Sequence, residues 1–454
     1  MKYTLVIAEK TSVAQSIAAV IGATKRYDGY LEGSDYIVSW CVGHLVELST
    51  ADSYDERYAK WQYADLPIIP QNWQYSISRG KEKQMKIIDE LMHRKDVNII
   101  IAATDAGREG ELIFRLVYEK NSCNKPVKRL WISSMEEKAI SDGFQNLRDG
   151  KHYDNLYHSA LCRAKADWIV GINSTRLFSV LYGQTLNVGR VMSPTLSMIV
   201  EREASISAFV TELFYTVQLD CGVFTLSCEK LANKQIAESL CKSCDGQNII
   251  IQSVENKEKS EKPPKLYDLT TLQREANRKL GFIAEQTLSY TQSLYEKKLV
   301  TYPRTDSRYL TSDISENTPP VIKAIAGLFM SQDTSFTVSM ELVTDNSKVN
   351  DHHAIIPTMS IQNCDVASLP FGEREILLLI SLRLLCAVGE DCIYEETIVK
   401  TNLNNIDFTA KGKTIITEGF HSIEKLSPSI QNEKMQVENT KVLPKITEGE
   451  IFQA

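Results

Sequence analysis

The chain has 454 residues, of which 43 % are hydrophobic and 24 % charged. At roughly 100–200 residues per domain it forms two to four folded domains, and wholesale disorder is excluded. Its net charge of −7 argues against a protein that merely coats nucleic acid, although a DNA enzyme can concentrate basic residues in one groove. No apolar run reaches the ~18 residues of a membrane helix, and Glu9 comes too early for a secretory signal. We therefore expect a cytoplasmic protein with no membrane partner.

The ten cysteines are scattered along the chain, unlike the disulfide framework of a small secreted domain. Cys241 and Cys244 have CxxC spacing, and Cys221 and Cys228 lie upstream. The spacing of these four cysteines is compatible with a zinc site of four thiolates. The upstream pair falls in FYTVQLDCGVFTLSC, which alternates like a strand and hairpin, so separate, ordinary cysteines are the better interpretation.

Residues 1–150 alternate strand and helix patterns, which predicts an α/β domain with a mostly parallel, doubly wound sheet. The apolar run at 97–103 is typical of a strand buried on both faces. Strands are predicted at 3–8, 36–42, 97–103 and 127–132. Helices are predicted at 11–20 with Thr11 as N-cap, at 81–93, at 112–119, and at 136–147 with Ser134 and Glu137 as a capping box.

The remaining chain divides into four predicted segments. Residues 151–213 are helical, and 214–265 form short strands that end in a charged, proline-containing linker at 255–265. Residues 266–395 are helical, and 396–454 return to β structure. A helical block between two β segments indicates an inserted domain carried on a β arch.

Carboxylates follow two predicted strands of the α/β domain. Glu9 follows the first strand, and Asp105, Glu109 and Glu111 follow the strand at 97–103. Because the carboxyl ends of parallel strands form the functional crevice of such sheets, these side chains suit a Mg²⁺ site. Acidic residues at a helix N-terminus are an equally good interpretation of the spacing alone.

The segment LVTYPRTDSRYL combines a nucleophile with cations. Pro303 disfavours helical geometry at Tyr302, so the phenol can project from a turn. Arg304 and Arg308 follow, and a planar guanidinium can clamp a phosphate. A tyrosine beside arginines is a plausible nucleophile for a phosphate, but most tyrosines are structural.

Two further segments permit anion binding, and one motif is absent. In NDHHAIIPT, one of the two histidines could contact a phosphate, although a hydrogen-bonded loop histidine is the default. Gly189 and Arg190 precede a helix predicted to begin near Pro194 with Ser193 as N-cap, and a helix N-terminus beside an arginine binds anions. The chain has no GxxxxGK[ST] sequence, so ATP hydrolysis is not expected.

Seven segments stand in the order and spacing of the type IA DNA topoisomerases, and the chain resembles this family over about residues 1–450. Within the family it is most similar to bacterial topoisomerase III. The segments are IAEK, ATDAGREGE, LWISS, DWIVGIN, GRVMSPTL, YPRTDSRYL and DHHAIIPT.

The resemblance implies a multidomain fold that closes into a toroidal clamp. Residues 1–150 would be a Toprim domain and 151–213 a helical segment of the gate-supporting domain. Residues 214–265 and 396–454 would form the β arch, and 266–395 the helical domain with the catalytic tyrosine.

The resemblance also implies a mechanism and a set of site residues. Tyr302 would attack a phosphodiester of single-stranded DNA, forming a 5′-phosphotyrosine without ATP. Arg304 and His352 match positions that contact the phosphate, and Glu9 and Lys10 match positions that assist proton transfer. The positions that match Mg²⁺ ligands are Glu9, Asp105 and Glu109. Those that match DNA contacts are Arg163, Arg190, Ser193, Thr195, Asp306 and Arg308.

This chain departs from the family pattern at two points. Gly107 stands where many members have an aspartate, and Glu111 is a candidate substitute. The sequence also ends before a stretch that completes the gate-supporting domain in the family.

We therefore expect an ATP-independent, Mg²⁺-dependent enzyme that relaxes or decatenates negatively supercoiled or gapped DNA. The alternatives are a relaxation-defective remnant that binds single-stranded DNA, or half of a split topoisomerase whose missing segment a separate chain supplies. A Toprim nuclease or primase-like protein would not need Tyr302, and the tyrosine and histidine motifs disfavour it.

Overall fold

The structure, a computed structural model, describes residues 2–132, 135–329, 337–349, 352–426 and 442–453. The chain divides into two compact units. The first contains the described residues of 1–208, 292–305 and 350–353, and the second contains those of 209–291, 306–349 and 354–454. Within these ranges, no helix combines the length and the apolarity needed to cross a membrane.

A seven-stranded sheet forms the centre of the first unit. Its four middle strands are parallel, and the outer strands are antiparallel to their neighbours. The predicted, mostly parallel sheet is confirmed, because apolar runs such as Leu5–Ala8, with no exposed surface, can only be interior strands. In spatial order the strands are Lys25–Tyr27, Tyr30–Glu32, Tyr36–Trp40, Tyr3–Ala8, Val97–Ala103, Val127–Arg129 and Arg148–Asp149. Val46–Leu48 and Tyr75–Ile77 form a separate two-stranded sheet.

Four helices connect the strands, and their starts differ from the predictions. Thr11 is the first helical residue and not the N-cap; that position belongs to Lys10, whose side chain makes no capping hydrogen bond. The helix predicted from 112 begins at Arg108, because the Glu111 N–H already donates to the Gly107 carbonyl at 3.1 Å. Ser134 lies outside the described residues. The four helices are Thr11–Val20, Glu82–His93, Arg108–Lys120 and Glu137–Gln145.

Two long helices, Asp154–Tyr182 and Met192–Ser207, follow in the segment predicted to be helical. The prediction of Ser193 as N-cap is wrong. Its N–H donates to the Gly189 carbonyl at 3.0 Å, so helical hydrogen bonding begins ahead of Pro194. The Ser193 hydroxyl accepts from the Gly189 N–H at 3.1 Å and closes the preceding turn.

An antiparallel five-stranded sheet forms part of the second unit. It pairs strands from the two segments predicted as the β arch, in the order Gln218–Asp220, Thr225–Cys228, Ile406–Thr417, Cys392–Leu403 and Ser253–Glu261. Asn248–Ile250 pairs with Ile451–Gln453. The helices after residue 209 are Lys234–Cys244, Leu269–Leu280, Ala284–Glu296, Ser312–Asn317, Pro319–Phe329, Phe371–Ala387 and Phe420–Glu424.

The prediction of a linker at 255–265 is wrong, because most of this segment is the edge strand Ser253–Glu261. Charged side chains are compatible with an edge, where they face water and discourage pairing with other chains. Here they also pair with the neighbouring strand: Lys259 lies 2.6 Å from Glu396, and Lys400 lies 2.8 Å from Glu255.

The cysteines considered for zinc do not form one site among the described residues. Cys241 and Cys244 lie on the helix Lys234–Cys244, which the sequence analysis missed, and Cys228 lies in a strand. Asn233 caps this helix by accepting from the Gln235 N–H at 2.8 Å. The Cys228 sulfur accepts from the Val217 N–H at 3.2 Å.

A buried ion pair ties the first unit together. Arg129 and Glu111 are each 1 % exposed, and the Arg129 Nε lies 2.6 Å from a Glu111 oxygen. The Arg129 guanidinium also donates to the carbonyls of Ala102, Thr104, Asp105 and Leu130. Removing either partner leaves a charge without compensation inside the protein.

Substituting Arg129→Ala should lower the free energy of unfolding of the first unit by about 3–5 kcal/mol. All five tryptophans lie in this unit, so tryptophan fluorescence during urea denaturation reports on it alone. The matched control is Arg148→Ala, which removes an exposed arginine from the neighbouring strand and should change stability by less than about 0.5 kcal/mol. Equal effects of the two substitutions would contradict a central role for the pair.

Candidate active site

The structure brings together five of the predicted site residues in the first unit. Glu9 follows the strand Tyr3–Ala8, and Asp105 follows the adjacent parallel strand, in which Ala103 is paired with Ala8. Tyr302, Arg304 and His352 come from later segments of the same unit. The carboxyl ends of neighbouring strands therefore hold the acidic residues, as the sequence predicted.

Close backbone packing fixes Asp105. A Cβ at Gly110 would lie 2.0 Å from the Asp105 carbonyl oxygen, so only glycine allows the helix Arg108–Lys120 to approach this closely. Thr104 donates to the Gly110 carbonyl at 2.8 Å, and Arg129 donates to the Asp105 carbonyl at 2.6 Å. The sequence analysis missed Arg129, because a single arginine usually indicates surface.

Two carboxylates lie side by side in the site. The Asp105 N–H donates to a Glu9 oxygen at 3.3 Å. Burial and the negative charge of Asp105 raise the pKa of Glu9 to about 7, against the opposing charges of Lys10 and Arg304. A carboxyl with such a pKa can carry a proton near neutral pH and release it.

The Tyr302 side chain is half-buried and lines a small cavity together with Asp105. Burial raises the pKa of Tyr302, the charges of Asp105 and Glu9 raise it further, and Arg304 lowers it. Its ring packs at 4.3 Å from the His352 ring and 5.4 Å from the Tyr295 ring, centroid to centroid. Tyr295 was not predicted, because a buried aromatic at the end of a helix looks like core.

His352 is buried and neutral. Burial, with the neighbouring His353 and the charge of Arg129, lowers the pKa of His352 to about 4. Its Nδ1 makes no hydrogen bond within the described structure. The backbone carbonyl of His352 accepts from the Thr305 hydroxyl at 2.9 Å, which holds the two segments together. The free nitrogen is available to a group that enters beside Tyr302.

The space behind Tyr302 is small. A cavity of about 10 Å³, lined by Asp105, Tyr295, Tyr302 and His352 among others, has room for about one water molecule. Arg304, by contrast, is exposed. A reacting group larger than water therefore has to approach from the exposed side.

Glu9 and Asp105 fit a divalent cation, whereas Glu109 does not join them in this structure. Among the described residues, the oxygens of Glu9, Asp105 and Glu109 do not all lie within 4.8 Å of one another. Glu109 instead forms an ion pair with Arg163 and lies 4.0 Å from His44. Adjacent carboxylates, one of them with a raised pKa, are the hard oxygen donors that Mg²⁺ prefers.

Glu111 is not an alternative metal ligand. Its two oxygens face Arg129 at 2.6 Å and Arg115 at 3.4 Å, and its side chain is buried. The expectation that it replaces the carboxylate missing at Gly107 is therefore wrong, because a buried ion pair already occupies both oxygens.

The residues predicted to contact DNA make local interactions. The Arg190 guanidinium binds both oxygens of Asp167, at 2.7 and 3.1 Å. The Thr195 hydroxyl donates to the Val191 carbonyl at 2.7 Å. In the second unit, Arg308 donates to the Leu266 carbonyl at 3.2 Å, and Asp306 is exposed. An exposed ion pair such as that of Arg190 with Asp167 contributes only about 0–1 kcal/mol, so Arg190 can exchange its partner.

The chain is similar in sequence to known protein families. Residues 151–454 match a family model described as DNA topoisomerase, and residues 4–135 match one described as Toprim domain. A DNA topoisomerase 3 of Bacillus cereus is 42 % identical over 443 residues, covering 93 % of this chain and 60 % of the relative. A DNA topoisomerase 3 of Bacillus subtilis is 40 % identical over 466 residues, covering 99 % and 63 %. The chain thus spans about three fifths of the length of these curated relatives.

The fold resembles that of a solved structure, full-length topoisomerase I from Thermotoga maritima. The TM-score is 0.72 at 22 % sequence identity, and the match covers 99 % of this chain and 70 % of the other. It supports the predicted fold class, a Toprim α/β domain joined to helical and sheet segments.

Replacing Asp105 with asparagine should lower the pKa of Glu9, because the negative charge beside it is removed while burial remains. Carboxyl ¹³C NMR titration of the metal-free protein measures this value, and Glu9→Gln identifies the resonance. Asp96→Asn, at the opposite end of the same strand, is the matched control and should leave Glu9 unchanged. A Glu9 that titrates at the ordinary glutamate value in the parent protein would refute the described environment.

Proposed function

The chain belongs to the type IA DNA topoisomerase family, and we propose that it cleaves one DNA strand through a transient bond to Tyr302. In this proposal it rejoins the strand after passage of another strand, and so relaxes or decatenates negatively supercoiled or gapped DNA. One observation carries the proposal: Tyr302 lines one small cavity together with Asp105 and His352, and its ring lies 4.3 Å from the His352 ring.

The proposed cleavage step exchanges one phosphoester for another. The Tyr302 oxygen attacks phosphorus, a bond forms to the 5′ phosphate, and the bond to the 3′ oxygen breaks. The phenol proton passes toward the carboxylate of Asp105, which lines the same cavity. The departing 3′ oxygen takes a proton from Glu9, whose pKa of about 7 suits a general acid. Because bond energy is conserved, no ATP is needed.

Cationic side chains and His352 would stabilise the negative charge on the scissile phosphate. Arg304 is exposed beside Tyr302 and would bind the scissile phosphate with its planar fork. A preorganised donor of this kind contributes roughly 10²–10³ in rate. Lys10 lies next to Glu9, and the Nδ1 of His352 offers a further contact for the phosphate. Asp105, together with Glu9 once it has given up its proton, would hold Mg²⁺, which supplies positive charge beside the DNA backbone when bound.

Single-stranded DNA is the proposed partner, and Arg163 and Arg190 are proposed to bind its phosphates. Each now binds a carboxylate, Glu109 and Asp167 respectively. Phosphate would replace those carboxylates at small cost, because exposed pairs are weak. Ser193 and Thr195 at the helix start, and Arg308 and Asp306 in the second unit, complete the proposed DNA contacts.

We also propose that an additional polypeptide segment covers an apolar surface of the first unit, the Leu196 surface. It comprises Leu196, Ile199 and Val200, which share one face of the helix Met192–Ser207 and are 55–60 % exposed. An apolar patch of this kind usually marks an interaction site. The curated relatives are longer than this chain, so the proposed occupant is a segment of the kind that they carry beyond the matched part.

Covalent trapping tests the cleavage step. The protein is incubated with Mg²⁺ and a 3′-labelled single-stranded oligonucleotide and then denatured, and protein-bound label is measured. We expect label on the parent protein and none on Tyr302→Phe, because the phenol oxygen is the attacking atom. Tyr309→Phe, in the same motif, is the matched control and should retain the label. Label that persists in Tyr302→Phe would point to a different nucleophile or to metal-only cleavage.

Adding the extra segment of the Bacillus subtilis relative in trans should raise the melting temperature of the first unit, since the Leu196 surface becomes covered. Tryptophan fluorescence measures the transition. Leu196→Ser combined with Ile199→Ser should abolish the increase, because both changes lie on exposed positions of that surface. No change in the parent protein would eliminate this partner.

A further inference from the structure

A second group of metal-ligating side chains lies in the second unit, outside the site described above. Among the described residues, Glu261, Cys392 and His421 are the one group of three such side chains whose ligand atoms all lie within 4.8 Å of one another. Glu261 is paired with Cys392 in the antiparallel register, at the end of one strand and the start of the next. His421 lies in the short helix Phe420–Glu424.

Hydrogen bonding orients the His421 ring. Its Nδ1 lies 2.9 Å from a Glu424 oxygen, so Nδ1 carries a proton and donates it. Its Nε2 lies 3.5 Å from Oε1 of Glu261. In the neutral ring, Nε2 presents a lone pair to a carboxylate oxygen. That arrangement requires a positive charge between the two atoms, either a proton on Nε2 or a metal ion.

The spacing matches a tetrahedral metal better than a direct hydrogen bond. A nitrogen and an oxygen that are bound to one zinc ion at about 2.0–2.2 Å lie roughly 3.4 Å apart. A strong charged hydrogen bond would bring them to about 2.7–2.9 Å. The 3.5 Å between His421 and Glu261 is close to the first value.

The local charges also favour a divalent ion. Lys413 lies 3.2 Å from Oε2 of Glu261 and leaves Oε1 directed at His421. With Cys392 as a thiolate, three negative charges lie here, on Glu261, Cys392 and Glu424, and Lys413 carries one positive charge. A divalent ion would bring the sum of these charges to zero. Cys392 has no exposed surface, which excludes water from its side of the group.

We propose that Glu261, Cys392 and His421 bind a zinc ion, with Glu424 orienting the histidine. Mixed sulfur, nitrogen and oxygen donors select zinc over magnesium or calcium, and a carboxylate on the second ring nitrogen is the usual support of a zinc-bound histidine. The fourth ligand would be water, since the side chains of His421 and Glu261 are partly exposed to solvent. The ion would fasten the ends of two strands to the helix Phe420–Glu424.

Cobalt substitution tests the site in the full chain without relying on activity. Metal-free protein is titrated with Co²⁺, and the thiolate-to-cobalt charge-transfer band is recorded. We expect one equivalent to produce the band, Zn²⁺ to displace it, and Cys392→Ser to abolish it. Cys241→Ser, which changes an exposed cysteine elsewhere, is the matched control and should keep the band.

Two further variants distinguish a loss of metal binding from misfolding of the protein. His421→Gln alters a partly exposed side chain and should remove tight binding while the circular dichroism spectrum stays unchanged. Glu424→Gln should weaken Co²⁺ binding by about 10- to 100-fold, as expected for the partner of a metal-bound histidine. The proposal is overturned if the parent protein shows no band, or if the band survives in Cys392→Ser or His421→Gln. In that case a proton on Nε2 accounts for the geometry.

Discussion

The Arg129 guanidinium is the group on which the geometry of the candidate active site depends. It donates to four backbone carbonyls around the end of the strand Val97–Ala103 and forms an ion pair with Glu111 on the following helix. A buried cation is costly unless its donors are satisfied, so the chain can adopt only conformations in which those carbonyls converge. The Asp105 carbonyl is one of them. Arg129 thus fixes the position of the Asp105 carboxylate beside Tyr302, although Arg129 itself does not reach the reacting atoms.

The site contains polar groups that are not fully compensated. Glu9 and Asp105 are neighbouring acids, and the Nδ1 of His352 makes no hydrogen bond to the part of the chain that the structure describes. Their common property is that a bound phosphate and a divalent cation would compensate them, as expected of a site that is shaped for its reaction.

Sequence patterns predicted the central strands of the first unit well, but they did not predict an edge strand of the second unit. The strands Tyr3–Ala8 and Val97–Ala103 were predicted to the residue, because a short apolar run bounded by polar residues has few alternatives in a buried sheet. The edge strand Ser253–Glu261 was predicted as a linker. Its residues are charged, and its partner strand Cys392–Leu403 lies about 140 positions away, so nothing local distinguishes it from a solvated loop.

The same contrast holds for the site. Strand ends indicated Glu9 and Asp105, and the motif YPRTDSRYL indicated Tyr302 and Arg304. The 4.3 Å contact between Tyr302 and His352 depends on chain segments fifty residues apart, which periodicity does not report. The role of Glu111 could not be predicted from its spacing either. Glu111 lies in a helix, and Arg129, which binds it, lies in the strand Val127–Arg129.

Two glycines three positions apart, Gly107 and Gly110, differ in how much change the site can accommodate. At Gly110 there is no room for even a methyl group, so this position is fixed by the backbone of Asp105. At Gly107 the backbone is extended, with φ near 180°, and a Cβ would meet nothing within 4 Å. A side chain fits there, including the aspartate that the family resemblance leads one to expect. The fold therefore does not exclude a second carboxylate near Asp105. The single substitution Gly107→Asp would introduce it.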